Sequence, residues 1–431
     1  MSGPWSARGA AAAGMVVAAL ALASDDAAAQ RGGRGAGTIP PALAPVLESI
    51  RAHNDWTLAQ QVSVCEIPAP PFKEGARAAE VKRRFEALGL ARVRIDSVGN
   101  VIGERAGTGG GPTVVLAGHL DTVFPEGTDV HVRHEGNRLA APGIGDDCRG
   151  LAVLLSVARA LGESKVQTPG TIVFVADVGE EGAGNLRGMR HLFGREMKGK
   201  IDYFISVDGT GLDVTSRAVG SHRYRVSYLG PGGHSYGRFG IPNPIHAMGR
   251  AIAKVADFQV PQSPKTTFNV GIVRGGTSVN SIAAEASMDV DLRSESAREL
   301  DVLDGKFQSA IRSALDEENA RWTGKGAETA RLSLRVDTIG IRPTGAQADS
   351  ALIVRTAVEL GRALGFSPRT GASSTDANIP ISLGIPAITI DGGGRGGGAH
   401  SPDEWYEDGE RGWLGPQWAA AVVVGLAGGG D

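Results

Sequence analysis

The chain has 431 residues, with 63 glycines, 22 prolines, two cysteines and a formal charge of −3. Its 42% hydrophobic content supplies a large core and excludes wholesale disorder. The near-neutral charge argues against a surface built for nucleic acid or an anionic membrane, and two cysteines exclude a disulfide scaffold or a four-cysteine zinc knuckle.

Residues 1–29 read as a signal peptide. Arg8 gives the positive n-region, Ala10–Ala23 the apolar stretch, and Ala27-Ala28-Ala29 a small-residue cleavage site, with the cut after Ala29. The apolar run is shorter than the roughly 20 residues that span a bilayer. The mature protein is therefore expected in the periplasm or outside the cell, without stable membrane insertion. Residues 30–42 form a linker that includes the Gly/Arg tether Arg31–Gly37. Export makes Cys65 and Cys148 candidates for a disulfide, with two buried thiols as the alternative.

Beyond the linker, length at about 150 residues per domain predicts two or three domains. Leu43–Val64 and Glu74–Leu88 carry helical apolar spacing. Val93–Asp96 and Thr113–Ala117 read as strands, Arg149–Leu161 as a helix, and Thr171–Val178 and Tyr203–Val207 as buried strands. This alternation predicts an α/β domain with a mixed, largely parallel sheet flanked by helices. The rhythm then changes: Arg223–Tyr228, Pro244–Val255, Thr266–Val273, Ala286–Leu292, Ser294–Leu315 and Arg331–Val336 give a βαββαβ order. That order fits a small α+β, ferredoxin-like domain. Helix Ser350–Leu364 and strand Ala387–Ile390 then resume the first pattern. The predicted organisation is a catalytic domain in two parts, 43–217 and 341–431, interrupted by an insertion at 218–340.

Acids and histidines collect where the predicted strands end. Gly118-His119-Leu120-Asp121 follows one strand, Glu180-Glu181 another, Asp208 a third, and His400 lies beyond the glycine-rich loop after the last. Asp146 sits in Gly143-Ile144-Gly145-Asp146-Asp147, just before a helix. In an open α/β sheet the carboxyl ends of parallel strands form the ligand crevice. Histidines and several carboxylates gathered there would need a cation among them. Imidazole with carboxylate suits zinc, with cobalt or manganese as substitutes. Five such ligands suit two ions about 3.5–4 Å apart.

The strings GHLDTV at Gly118–Val123, GIGDD at Gly143–Asp147, EEGAGN at Glu180–Asn185, VDG at Val207–Gly209 and AHSPDEW at Ala399–Trp405 resemble the di-zinc exopeptidase and aminoacylase family. Peptidase T, carnosinase, aminoacylase and succinyl-diaminopimelate desuccinylase are among its members. The resemblance implies that His119 and Asp208 bind one zinc, Glu181 and His400 the other, and Asp146 both. It implies a cis bond between Asp146 and Asp147, Asp121 as the hydrogen-bond partner of the His119 imidazole, and Glu180 as general base. In the insertion, His234 within Gly232-Gly233-His234-Ser235 would polarise the scissile carbonyl, often across a dimer interface. Asn280 and Arg293 match substrate-gripping positions, where the guanidinium could fork onto a carboxylate. Two departures stand out: Cys148 replaces a frequent lysine, and Gly179 replaces a frequent acid.

The expected protein is a secreted metallohydrolase and homodimer that cleaves a terminal amide bond of small peptides as an aminopeptidase of the peptidase T kind. A carboxypeptidase or an N-acyl-amino-acid deacylase could use the same centre. An inactive, metal-stabilised binding protein is the alternative from another class, and the retained Glu180 argues against it.

Overall fold

The computed structural model describes residues 39–322 and 328–428; the signal-peptide call and most of the linker lie outside the described residues. A nine-stranded sheet forms the centre. Strand Thr113–His119 lies between Thr171–Asp177 and Tyr203–Val207 and is parallel to both. Ala387–Ile390 continues the parallel series beside Tyr203–Val207. Val101–Arg105 and Ala91–Ile95 add antiparallel strands at one side. Val214–Ala218 adds another at the opposite side. Because the central strands run parallel, the carboxyl ends that carry His119, Asp177 and Val207 share one sheet edge.

The apolar runs of these strands follow from burial on both faces. Val114, Leu116, Ile172 and Phe174 pack into one core with helices Ala44–Ala52, Cys148–Ser164, Leu352–Ala363 and Leu414–Leu426. Their neighbours Val115, Ala117, Val173 and Val175 face the other side, against Leu186, Met189, Leu192, Ile379 and Ile381. Each buried Val, Leu, Ile, Met or Phe side chain here contributes about 1.5–3 kcal/mol. The predicted helix Leu43–Val64 is two helices, Ala44–Ala52 and Asn54–Cys65, separated at His53, whose φ of −108° and ψ of 26° are non-helical. Helix Leu414–Leu426 was not anticipated: it is buried nearly all round, so it carries no amphipathic stripe to read. Its Trp418 is fully buried and donates from Nε1 to the Ala357 carbonyl at 2.8 Å.

Between residues 220 and 342 the chain forms a separate four-stranded antiparallel sheet, ordered Thr266–Gly275, Glu285–Ser294, Gly220–Leu229, Ser333–Arg342. Helices Pro244–Ala256 and Ala297–Arg321 pack on it around Val226, Tyr228, Met288 and Phe307. The βαββαβ order matches the sequence reading, with the second helix reaching Arg321 rather than Leu315. The Asn378 amide donates to the carbonyls of Val219 (2.8 Å) and Pro343 (3.0 Å), where the chain leaves and rejoins the main sheet. Among the described residues, no helix is long and apolar enough to cross a membrane.

Candidate metal centre

Asp146 is delivered by a loop that one buried acid shapes. The Glu404 carboxylate accepts from the backbone N–H groups of Gly143 (2.9 Å), Gly145 (2.8 Å) and Asp146 (2.9 Å). Asp147 then joins strand to helix, accepting from Gly150 N at 2.9 Å as the helix N-cap and from His119 N at 2.9 Å. Gly118 and Gly150 make room for it. A Cβ at residue 150 would stand 2.2 Å from Asp147 Oδ1 and 2.3 Å from the Val207 carbonyl, and one at residue 118 would stand 2.9 Å from Asp147 Oδ2. The Asp146–Asp147 peptide bond is cis, as the resemblance implies.

One carboxylate faces two imidazoles. His119 Nε2 lies 3.0 Å from Asp146 Oδ1, while His400 Nε2 lies 3.1 Å from Asp146 Oδ2 and 3.0 Å from Glu181 Oε1. Ligand atoms of His119, Asp146 and Glu181 all fall within 4.8 Å of one another. His119 and Asp121 are fully buried, and Glu180 and Glu181 nearly so. The donor set fits a divalent cation: soft-to-borderline nitrogen and hard oxygen converge, with Asp146 offering a separate oxygen to each side.

The titration of these groups reflects the same crowding. The hydrogen bonds to Asp146 and Glu181 push His400 up to about 10. Burial opposes charge on His119, yet its bond to Asp146 and the nearby carboxylates of Asp147 and Asp208 raise it well above the ordinary imidazole value. Burial raises Asp208 strongly, reinforced by Asp146, and also raises Glu181. These carboxylates favour positive charge in their midst.

Asp121 acts differently from the expectation. Its backbone carbonyl, not its carboxylate, lies 2.9 Å from His119 Nδ1; the carboxylate is 3.8 Å away. The carboxylate instead accepts from the N–H groups of Gly179 (2.9 Å), Glu180 (3.1 Å) and Glu181 (2.9 Å). Three converging donors outcompete one imidazole, so Asp121 shapes the turn that presents both glutamates while its carbonyl orients His119.

Asp208 stands beside this cluster, and His234, Asn280 and Arg293 lie in the 220–342 segment. Asp208 follows strand Tyr203–Val207 and takes no side-chain hydrogen bond among the described residues, although Asp146 and His119 both perturb it. His234 is exposed, pairs in register with Ser281 and accepts at Nδ1 from Tyr236 N (3.3 Å) and Gly237 N (3.2 Å). The Asn280 carbonyl accepts from Ser235 N at 2.9 Å, which joins these two loops. Arg293 donates from Nε to Asp291 at 2.6 Å. Asp291 also binds Arg223 (3.1 Å), whose Nη1 reaches the Gly182 carbonyl at 2.8 Å beside the glutamate turn.

Three participants carried no sequence signal for a role. Glu404 and Asp147 stood inside recognised motifs without an assignment, and Arg342 was one of many arginines. The Arg342 guanidinium is 4% exposed and donates to Glu180 Oε1 at 2.8 Å. Near it, Asp177 and Asp376 are fully buried and their oxygens meet no N–H or O–H donor outside the pair among the described residues. They face each other, and burial holds both well above the usual carboxylate range. Cys65 and Cys148 are free, buried thiols in one cluster with Ile144 and Tyr406.

The α/β sheet with this histidine–carboxylate edge defines a metal-dependent hydrolase of amide bonds. The sequence model of the peptidase family M20/M25/M40 matches residues 115–412, and the chain belongs to that family. Carboxypeptidase G2 of Pseudomonas sp. (strain RS-16) is 29% identical over 353 residues, covering 78% of this chain and 80% of that protein. Succinyl-diaminopimelate desuccinylase of Corynebacterium glutamicum is 26% identical over 355 residues, covering 79% and 88%. A tripeptidase structure from Staphylococcus aureus superposes with a TM-score of 0.70 at 22% identity, covering 86% of this chain and 98% of the other, a likeness of fold.

Proposed function

We propose that the protein is an exported exopeptidase that holds two divalent ions, zinc by preference, and releases a terminal residue from small peptides. The reading is carried by Glu180. One of its oxygens is held by Arg342, while Oε2 takes no hydrogen bond among the described residues and sits one residue from the metal-ligating Glu181. His119 and Asp208 would hold one ion, Glu181 and His400 the other, and Asp146 would serve both. When bound, the two ions would supply Lewis-acid polarisation of the scissile carbonyl and lower the pKa of the attacking water. Glu180 takes the proton of the attacking water at Oε2 and returns it to the leaving nitrogen. Arg293 keeps its two Nη groups for a substrate carboxylate, and His234, in a homodimer formed through residues 218–340, stabilises the oxyanion.

Glu180→Gln tests this directly. It should lower turnover by about 100-fold or more while metal content and folding stay near wild type. A fully active variant contradicts the mechanism, and a wild-type chain that binds metal without hydrolysing any peptide favours a binding protein. The likeness to carboxypeptidase G2 supports a second reading, release from the carboxyl end. Peptides blocked at the amino or the carboxyl end, followed by mass, separate it from an aminopeptidase; cleavage of N-acyl-amino acids alone identifies a deacylase.

A further inference from the structure

Arg342 is the last residue of strand Ser333–Arg342, immediately before the chain rejoins the main sheet. Its Nη1 donates to Glu180 Oε1 at 2.8 Å and to Ser374 Oγ at 3.1 Å. Its Nη2 donates to the main-chain carbonyl of Glu180. One guanidinium therefore holds both the backbone and the carboxylate of a single glutamate, a two-point grip that fixes the side chain's direction. The grip occupies Oε1 and leaves Oε2 without a hydrogen bond among the described residues.

The support of Arg342 ties it to the return crossover. Ser374 lies in the loop that leads into helix Asn378–Ser382, and the Asn378 amide holds both crossover carbonyls. The 220–342 segment thus reaches Glu180 through a hydrogen-bonded junction. A substrate carboxylate is a poor alternative partner for this guanidinium. Both Nη groups are already engaged, and the remaining Nε is buried without a partner, so no free fork points outward.

We propose that Arg342 is a positioning residue that aims the Glu180 carboxylate and carries the placement of the 220–342 segment to it. This rests on Glu180 being the proton carrier, so the test includes Glu180→Gln as its reference. In the metal-loaded, full-length protein, Arg342→Ala should lower kcat by about 10–100-fold, the range for groups that orient a catalytic centre. KM should stay within about threefold and metal content should be unchanged. Arg342→Lys should recover part of kcat, because an ammonium reaches the carboxylate but cannot span both oxygens. In the Arg342→Ala/Glu180→Gln double variant the losses should not multiply, since both act through one carboxylate.

A raised KM with intact kcat would overturn the proposal and make Arg342 a substrate-gripping residue. Multiplicative losses in the double variant would overturn it as well. If Glu180→Gln loses activity while Arg342→Ala keeps full kcat, this inference alone fails; if Glu180→Gln stays active, the proton-carrier reading fails. Should Arg342→Ala not fold, Arg342→Lys and Ser374→Ala serve instead: a lowered kcat at constant KM supports positioning, and wild-type kcat in both refutes it.

Discussion

The loop edge of the main sheet and the loops of the 220–342 segment hold their polar residues in opposite ways. At the sheet edge, His119, Asp121, Asp147, Glu180 and Glu181 are buried, and each carboxylate answers to backbone donors, an imidazole or the Arg342 guanidinium. In the other segment His234 is exposed, and beside it Tyr236 is 89% and Phe239 79% exposed. Preorganisation belongs to the first region, where charge must be held without reorganising during reaction. The second keeps its groups on open loops, where contacts can vary at little cost to the fold.

Substitutions can break this contrast. The largest expected effect is at Gly150, where an alanine Cβ would collide with Asp147 Oδ1 and the Val207 carbonyl at 2.2 and 2.3 Å. Gly150→Ala should cost about 3 kcal/mol in a urea titration; a stability equal to wild type would show that the edge is pliable. Next comes Glu404→Ala, which frees three N–H groups of the Asp146 loop. Metal affinity or activity should drop about 10–100-fold, and isothermal titration of the variant with zinc would read it.

Asp391 sharpens the contrast by pH. Burial pushes its carboxyl up to about 7, against about 3.9 in an unfolded chain. Between these values the folded state binds the extra proton, so the group's contribution to stability falls as pH rises from about 4 to 7 and is flat above. Asp391→Asn should remove that slope, gaining stability relative to wild type at pH 8 over pH 5 by on the order of 1 kcal/mol. Parallel slopes in urea series would contradict the assignment. The smallest effect is expected at the open loop: Tyr236→Ser should change stability by no more than about 0.5 kcal/mol.

What the sequence made legible follows the same division. Strand ends in a parallel sheet converge by topology, so His119, Asp146, Glu181 and His400 were readable from motifs far apart in the chain and do meet. The function of Asp121 was misread because residue type does not reveal which atom bonds: carbonyl and carboxylate compete for different partners. Arg342 was invisible because its contact with Glu180 spans 162 residues and an arginine in an alternating strand carries no local mark. Helix Leu414–Leu426 was missed for a related reason, since burial on every side erases the period that marks a helix. The cause of the glycines near Asp147 lies in the structure, which names the oxygen that needs the space.

On the proposed mechanism, Asp146 would be shared between two ions. Elemental analysis of the full chain and of Asp146→Ala, each with its peptidase rate, tests it most directly. The account predicts two divalent ions per wild-type chain, and loss of bound metal together with activity in the variant. An active wild-type chain free of divalent metal, or an Asp146→Ala chain that keeps both ions, would contradict it.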